Sequence, residues 1–124
     1  MNERQQVGRT GEDIAVGVLE QHGHVILARN WRHGHKEVDI VSLDGKEIVF
    51  TEVKCRTGDP LEEPYKAVNQ EKQRFLVRAA NAYVHMYQVQ EEVRFDVVSV
   101  ILGPPLEVEY FKRAFFPPVS SGHH

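Results

Sequence analysis

Cysteine is nearly absent: the 124 residues hold one, Cys55. That excludes an intrachain disulfide and any cysteine-rich zinc site. Long apolar runs are missing as well, and nothing approaches the ~18 residues of a membrane span. The start, Met1 to Gln6, is polar and lacks the hydrophobic stretch of a signal peptide. A cytoplasmic protein with no membrane partner is the expectation. An excess of positive charge is also missing. Lys plus Arg number 15 against 18 Asp plus Glu, giving a net charge of −3. Indiscriminate charge-driven binding to nucleic acid is thereby excluded, and any such binding must use a local basic patch. No Gly-x-Ser-x-Gly elbow supports a Ser/His/Asp triad, and no Gly-x-x-x-x-Gly-Lys loop cradles a phosphate.

What is present reads as one folded domain. The chain is 41% hydrophobic and 27% charged, a balance that argues against disorder. A single domain over residues 1–124 is expected, with 118–124 as a disordered tail or tag remnant. The two histidines that end it are therefore set aside. Apolar residues at helical spacing predict a first helix from about Asn2 to His22. Gly8, Gly11 and Gly17 inside it suggest close packing. Strands follow at His24–Arg29, Glu37–Leu43 and Lys46–Arg56, with a polar loop at 30–36 and an Asp44-Gly45 hairpin turn. A second helix runs from about Tyr65 to Tyr87, with Val68, Phe75, Leu76, Ala79, Ala82, Tyr83 and Met86 as its apolar stripe. Val93–Leu102 and Leu106–Phe111 close the chain as strands. This order predicts an α/β fold with one mixed sheet flanked by two helices.

The hairpin carries the chemistry. With Asp44-Gly45 as the turn, Leu43 pairs with Lys46, Val41 with Ile48, Asp39 with Phe50 and Glu37 with Glu52. Alternation then puts Glu37, Asp39, Glu52 and Lys54 on one face, with Asp39 diagonal to Glu52 at ~7–8 Å between backbones. Opposed carboxylates repel unless a cation sits between them. Two acids with an adjacent lysine suit a hard ion, Mg²⁺ or Mn²⁺, and the water it activates. Glu12, at the edge of the first helix's apolar stripe, is positioned to point toward Asp39. Lys72 lies inside the second helix's stripe and must snorkel or meet an acid. Arg29, Arg32, His33, His35 and Lys36 surround Trp31 with no acid from Val25 to Lys36, a pattern suited to a nucleic-acid backbone. Lys66, Lys72, Arg74 and Arg78 extend it. The two His-Gly-His units, at 22–24 and 33–35, lack a nearby acid or cysteine to complete a Zn²⁺ or Ni²⁺ site. Cys55 reads as a packing residue rather than a nucleophile.

Five stretches stand in register: Gly8-Arg9-Thr10-Gly11-Glu12, Asn30-Trp31-Arg32, Glu37-Val38-Asp39-Ile40-Val41, Phe50-Thr51-Glu52-Val53-Lys54-Cys55-Arg56 and Arg94-Phe95-Asp96-Val97. Together they resemble the YraN-type protein family. That family is similar to archaeal Holliday-junction resolvases of the PD-(D/E)xK nuclease superfamily. The resemblance implies an αβββαβ restriction-endonuclease-like core with an extra C-terminal strand. It implies a metal site of Glu12, Asp39 and Glu52, with Lys54 as the catalytic lysine beside Asp39 and Glu52. Val38 stands where the superfamily has proline, and Lys36 where glycine precedes Glu37. Arg9, Arg29, Arg32, Lys36, Arg56 and Lys72 form the expected nucleic-acid-binding set. The resulting expectation is a Mg²⁺- or Mn²⁺-dependent endonuclease acting on DNA, on branched or damaged forms of it. The alternative is a non-catalytic nucleic-acid-binding or adaptor module on the same fold. A homodimer is left open.

Overall fold

A computed structural model describes residues 2–59 and 69–116. The expected first turns of the second helix, with Lys66 and Val68, and the tail at 118–124 lie outside the described residues. Helix α1 (Glu3–Gln21) begins at Asn2, whose side chain accepts the Gln5 N–H at 2.8 Å while Gln5 reaches back to the Asn2 N–H at 3.1 Å. This reciprocal cap satisfies donors the helix cannot. Three strands follow, β1 (Val25–His33), β2 (Lys36–Asp44) and β3 (Glu47–Arg56). Helix α2 (Gln70–Tyr87) is capped by Asn69, and β4 (Glu92–Ile101) and β5 (Glu107–Phe115) complete the chain. The α/β expectation holds. The five strands form one mixed sheet in sequence order, antiparallel except for the parallel β3–β4 pair that α2 connects.

The helices cover opposite faces. Ala15 and Leu19 of α1 pack with Ile40, Val98 and Val100. Leu76, Ala79, Ala80 and Tyr83 of α2 pack with Val38, Val41, Phe50 and Phe95. Phe75 and Met86, expected in that stripe, are instead 47% and 45% exposed. The packing of α1 is tightest at Gly11, where an added Cβ would overlap the Cys55 side chain. Gly8 and Gly17 have open space around them, so the close-packing expectation holds only for Gly11.

The polar stretch at 30–36 is not a loop. It forms the end of β1, a tight turn at Gly34-His35 and the start of β2, with His33 paired to Lys36. The sequence disguises this strand because it is an edge strand, where polar side chains face solvent. The next hairpin is also corrected. Asp44 pairs with Glu47, so Gly45-Lys46 is the turn, with Gly45 at φ 61°. The expected register is thus displaced, and Val41 faces Phe50 and Leu43 faces Ile48. Because the loop is still two residues long, the parity at the turn survives.

Candidate active site

Strict alternation fails within β2. Val38 and Val41 belong to the core under α2, whereas Ile40 belongs to the core under α1. The break falls at Asp39 and at Asn30 opposite it, where Asn30 takes a left-handed φ of 50°. Regular pairing of β2 with β3 stops at Ile40–Thr51. In the continuing register Asp39 faces Glu52, not the diagonal position expected from the sequence. Beyond this point the Asp39 carboxylate itself accepts the Val53 backbone N–H at 2.8 Å. A donor that the diverging ladder would orphan thereby fixes the acid's position.

Asp39 sits between two grooves and lines both. One, of about 490 Å³, runs along α2 and is lined by Glu37, Glu52, Glu71, Lys72 and Phe75 as well as Asp39. The other, of about 1520 Å³, opens beside the first turns of α1 and gathers Arg4, Arg9, Arg29 and Arg56 around Glu12 and Asp39. Burial pushes the Asp39 carboxyl up to about 7, helped by the charges of Glu52, Glu37 and Glu12 and opposed by the Val53 bond. Lys54 lies 3.4 Å from Glu52 and is largely buried. Its ammonium is pushed below the ordinary lysine value by burial first, and then by Lys72. Lys72 meets the same Glu52 oxygen at 3.8 Å, resolving the choice between snorkelling and meeting an acid in favour of the acid.

Glu12 is buried on α1. Its Oε1 accepts Arg29 Nε at 3.1 Å and Asn30 Nδ2 at 3.0 Å. Arg29 also donates to Asp13, so this arginine is already paired with acids. Arg32, exposed, pairs with Glu37 at 3.5 Å. Lys36 lines a third groove with Arg78, His33 and His85 between the β1–β2 hairpin and α2. The expected cations therefore divide: Arg9, Arg29 and Arg56 share the α1 cleft, Lys72 stands over the acids, and Lys36 joins Arg78 farther along α2. Arg4, Phe75 and His85 were not anticipated. Phe75 was masked by its helical spacing.

The donor set around Asp39 consists of oxygens, which suits a hard divalent ion. Among the described residues no group of three or more His, Cys, Asp or Glu side chains converges on a point. Glu12, Glu37 and Glu52 each meet a cationic side chain, whereas Asp39 has no ion pair among the described residues, and in that sense its carboxylate fits a bound cation. The His-Gly-His units serve other ends. His24 is buried and bonded through Nδ1 to Ser42 at 2.9 Å, and His22 sits edge-on to Tyr110. Cys55 packs against the core under α1. No helix among the described residues is long and apolar enough to cross a membrane.

A family model described as "Uncharacterised protein family UPF0102" matches residues 11–100, from Gly11 through most of β4. A UPF0102 protein of Bacteroides thetaiotaomicron is 42% identical over 120 residues, covering 96% of this chain and 99% of its own length. One of Porphyromonas gingivalis is 43% identical over 111 residues, covering 87% of this chain and 82% of its own. One of Chlorobium chlorochromatii is 37% identical over 118 residues, covering 90% and 92%. The chain belongs to the UPF0102 family, the YraN-type family its motifs resemble.

Proposed function

We propose that the protein is a cytoplasmic, divalent-metal-dependent nuclease that hydrolyses a phosphodiester in DNA at Asp39 and Glu52. One observation carries this reading most: the Asp39 carboxylate, fixed by the Val53 N–H at 2.8 Å, lines both grooves and is crowded by Glu52, Glu37 and Glu12. Such crowding costs stability and persists where chemistry uses it. Asp39 and Glu52 would hold the ion, with Glu12 adding an oxygen through the side of its carboxylate that Arg29 and Asn30 leave open. When bound, the ion, Mg²⁺ or Mn²⁺, would supply Lewis-acid charge to the phosphate and the attacking water.

The chain's own groups do the rest. Val53 N–H orients Asp39, so the carboxylate needs no reorganisation on binding. Lys54 stands in a desolvated place beside Glu52, where its ammonium would stabilise negative charge growing on the attacked phosphate. Arg9 and Arg56, in the α1 cleft, and Lys36 with Arg78, beside α2, would receive flanking phosphates. A chain with one cysteine, Cys55, is in keeping with a reducing compartment.

The second reading keeps the fold and drops catalysis, leaving a nucleic-acid-binding or adaptor module. It is favoured by the ion pairs that already neutralise Glu52 and Glu12. Calorimetric titration with Mn²⁺ separates the two. The nuclease reading expects a saturable site that Asp39→Asn abolishes in a folded protein. Equal Mn²⁺ binding by the variant, or none by the wild type, would refute the metal site and leave the module.

A further inference from the structure

The exposed face of α2 holds a residue that the core does not use. Leu76, Ala79, Ala80 and Tyr83 fill the space under the helix, while Phe75 is 47% exposed. Phe75 lines the same groove as Asp39 and Glu52. One turn before it, Lys72 leans onto Glu52. One turn after it stands Arg78, which shares the next groove with Lys36 and His85. From Phe75 to His85 the helix advances ~15 Å. The face thus runs from the carboxylates, past a bare aromatic ring, onto a cationic groove.

We propose that Phe75 is a stacking platform for a nucleobase that lies outside a duplex stack, so that the preferred substrate is DNA with an unpaired nucleotide beside the phosphate held at Asp39 and Glu52. The inference rests on the nucleic-acid reading of this site and narrows its substrate. Phenylalanine has no hydrogen-bonding group, so the ring offers a base only its π face, and stacking of that kind tolerates any sequence. In an intact duplex both faces of an internal base are covered by its neighbours. A free face is offered by a gap, a flap, a junction or a single strand. The cations on either side of the ring match the phosphates on either side of such a base. Glu71, also in the groove, disfavours a chain that enters without its counterion.

The test uses an oligonucleotide with one 2-aminopurine, offered as a single strand, as a gapped duplex with the probe in the gap, and as an intact duplex. Ca²⁺ replaces Mg²⁺ to prevent turnover. Stacking should change the 2-aminopurine emission on the first two and leave the intact duplex unaffected. Phe75→Ala should weaken binding to the single strand and the gapped duplex by about tenfold. It should change binding to the intact duplex by less than about twofold. Phe75→Trp should retain the affinity, with its own emission quenched by the base. Since Phe75 is half exposed, both variants are expected to melt as the wild type does. If Phe75→Ala binds all three as the wild type does, or loses all three equally, the stacking role is overturned while the nuclease reading stands. If the wild type binds none of the three, both are overturned.

Discussion

The Asp39 carboxylate accepts the Val53 N–H at 2.8 Å, at the point where β2 and β3 leave their ladder. One bond therefore joins a break in sheet geometry to the position of the central acid. It also sets two demands against each other: the bond favours the charged carboxylate, while burial and Glu52 oppose it.

The opposition predicts a pH dependence. The folded pKa of Asp39, about 7, lies above the ordinary 3.8. Between those values the folded state binds more protons than the unfolded, so this group lowers stability as pH rises, and the loss levels off above pH 7. A one-proton difference changes stability by about 1.4 kcal/mol per pH unit. Asp39→Asn, melted in EDTA, should therefore be more stable than wild type at pH 8, by up to a few kcal/mol, and nearly equal to it at pH 4. An equal difference at both pH values would contradict the assigned burial of the charge.

Lys54 separates catalysis from binding. Lys54→Ala should reduce turnover on the order of 100-fold or more, because the lost donor acts where charge grows. DNA affinity should change little. Lys54→Arg should not restore the rate, since a planar guanidinium differs in reach. Equal cleavage by Lys54→Ala would shift the role to Lys72, the other lysine on Glu52.

Two glycines of one helix should respond in opposite directions. Gly11→Ala drives a methyl into Cys55 and should cost about 1–3 kcal/mol. Gly17→Ala enters open space and should stabilise by up to about 1 kcal/mol. Urea melts of both variants check this, and a stabilising Gly11→Ala would mean that α1 does not approach β3 so closely.

At the other end of the sheet, Arg94 is buried and forked onto Asp96 at 3.0 and 2.9 Å. It also donates to Asp44 at 2.8 Å and Glu47 at 3.1 Å. Tyr110 and the Arg113 N–H complete the shell around Asp96. Arg94→Met should cost about 3–5 kcal/mol by leaving Asp96 uncompensated, and adding Asp96→Asn should recover part of that. Arg94 holds the Asp44 carboxyl below its usual value, while Arg113 first, and then Arg94, does so for Glu47. Their contribution is present above the ordinary carboxylate range and is lost as pH falls through the lowered values. Arg94→Met should flatten that acid limb.

Much of this was legible in the residues. Helical period and an Asp-Gly signal place the elements, and the motif spacing brings out Asp39, Glu52 and Lys54. The alternation argument reached the right face of β3 because the true turn, though displaced, is also two residues long. It could not reveal the break at Asp39, which depends on Asn30 turning left-handed on a neighbouring strand. Nor could it foresee that Arg29 would be drawn onto Glu12 and Asp13, since those partners come from α1. The Arg94 network was visible as a motif without a role, because its partners come from four separate strands and the segment before β1.

The most direct measurement is cleavage. End-labelled single-stranded, duplex, gapped and four-way DNA would be incubated with wild type and Asp39→Asn, each with Mg²⁺, with Mn²⁺ and with EDTA. The nuclease account predicts metal-dependent cleavage by the wild type on at least one form bearing unpaired nucleotides, and none by Asp39→Asn or in EDTA. Cleavage that survives Asp39→Asn or EDTA, or a wild type that cleaves nothing, would contradict it.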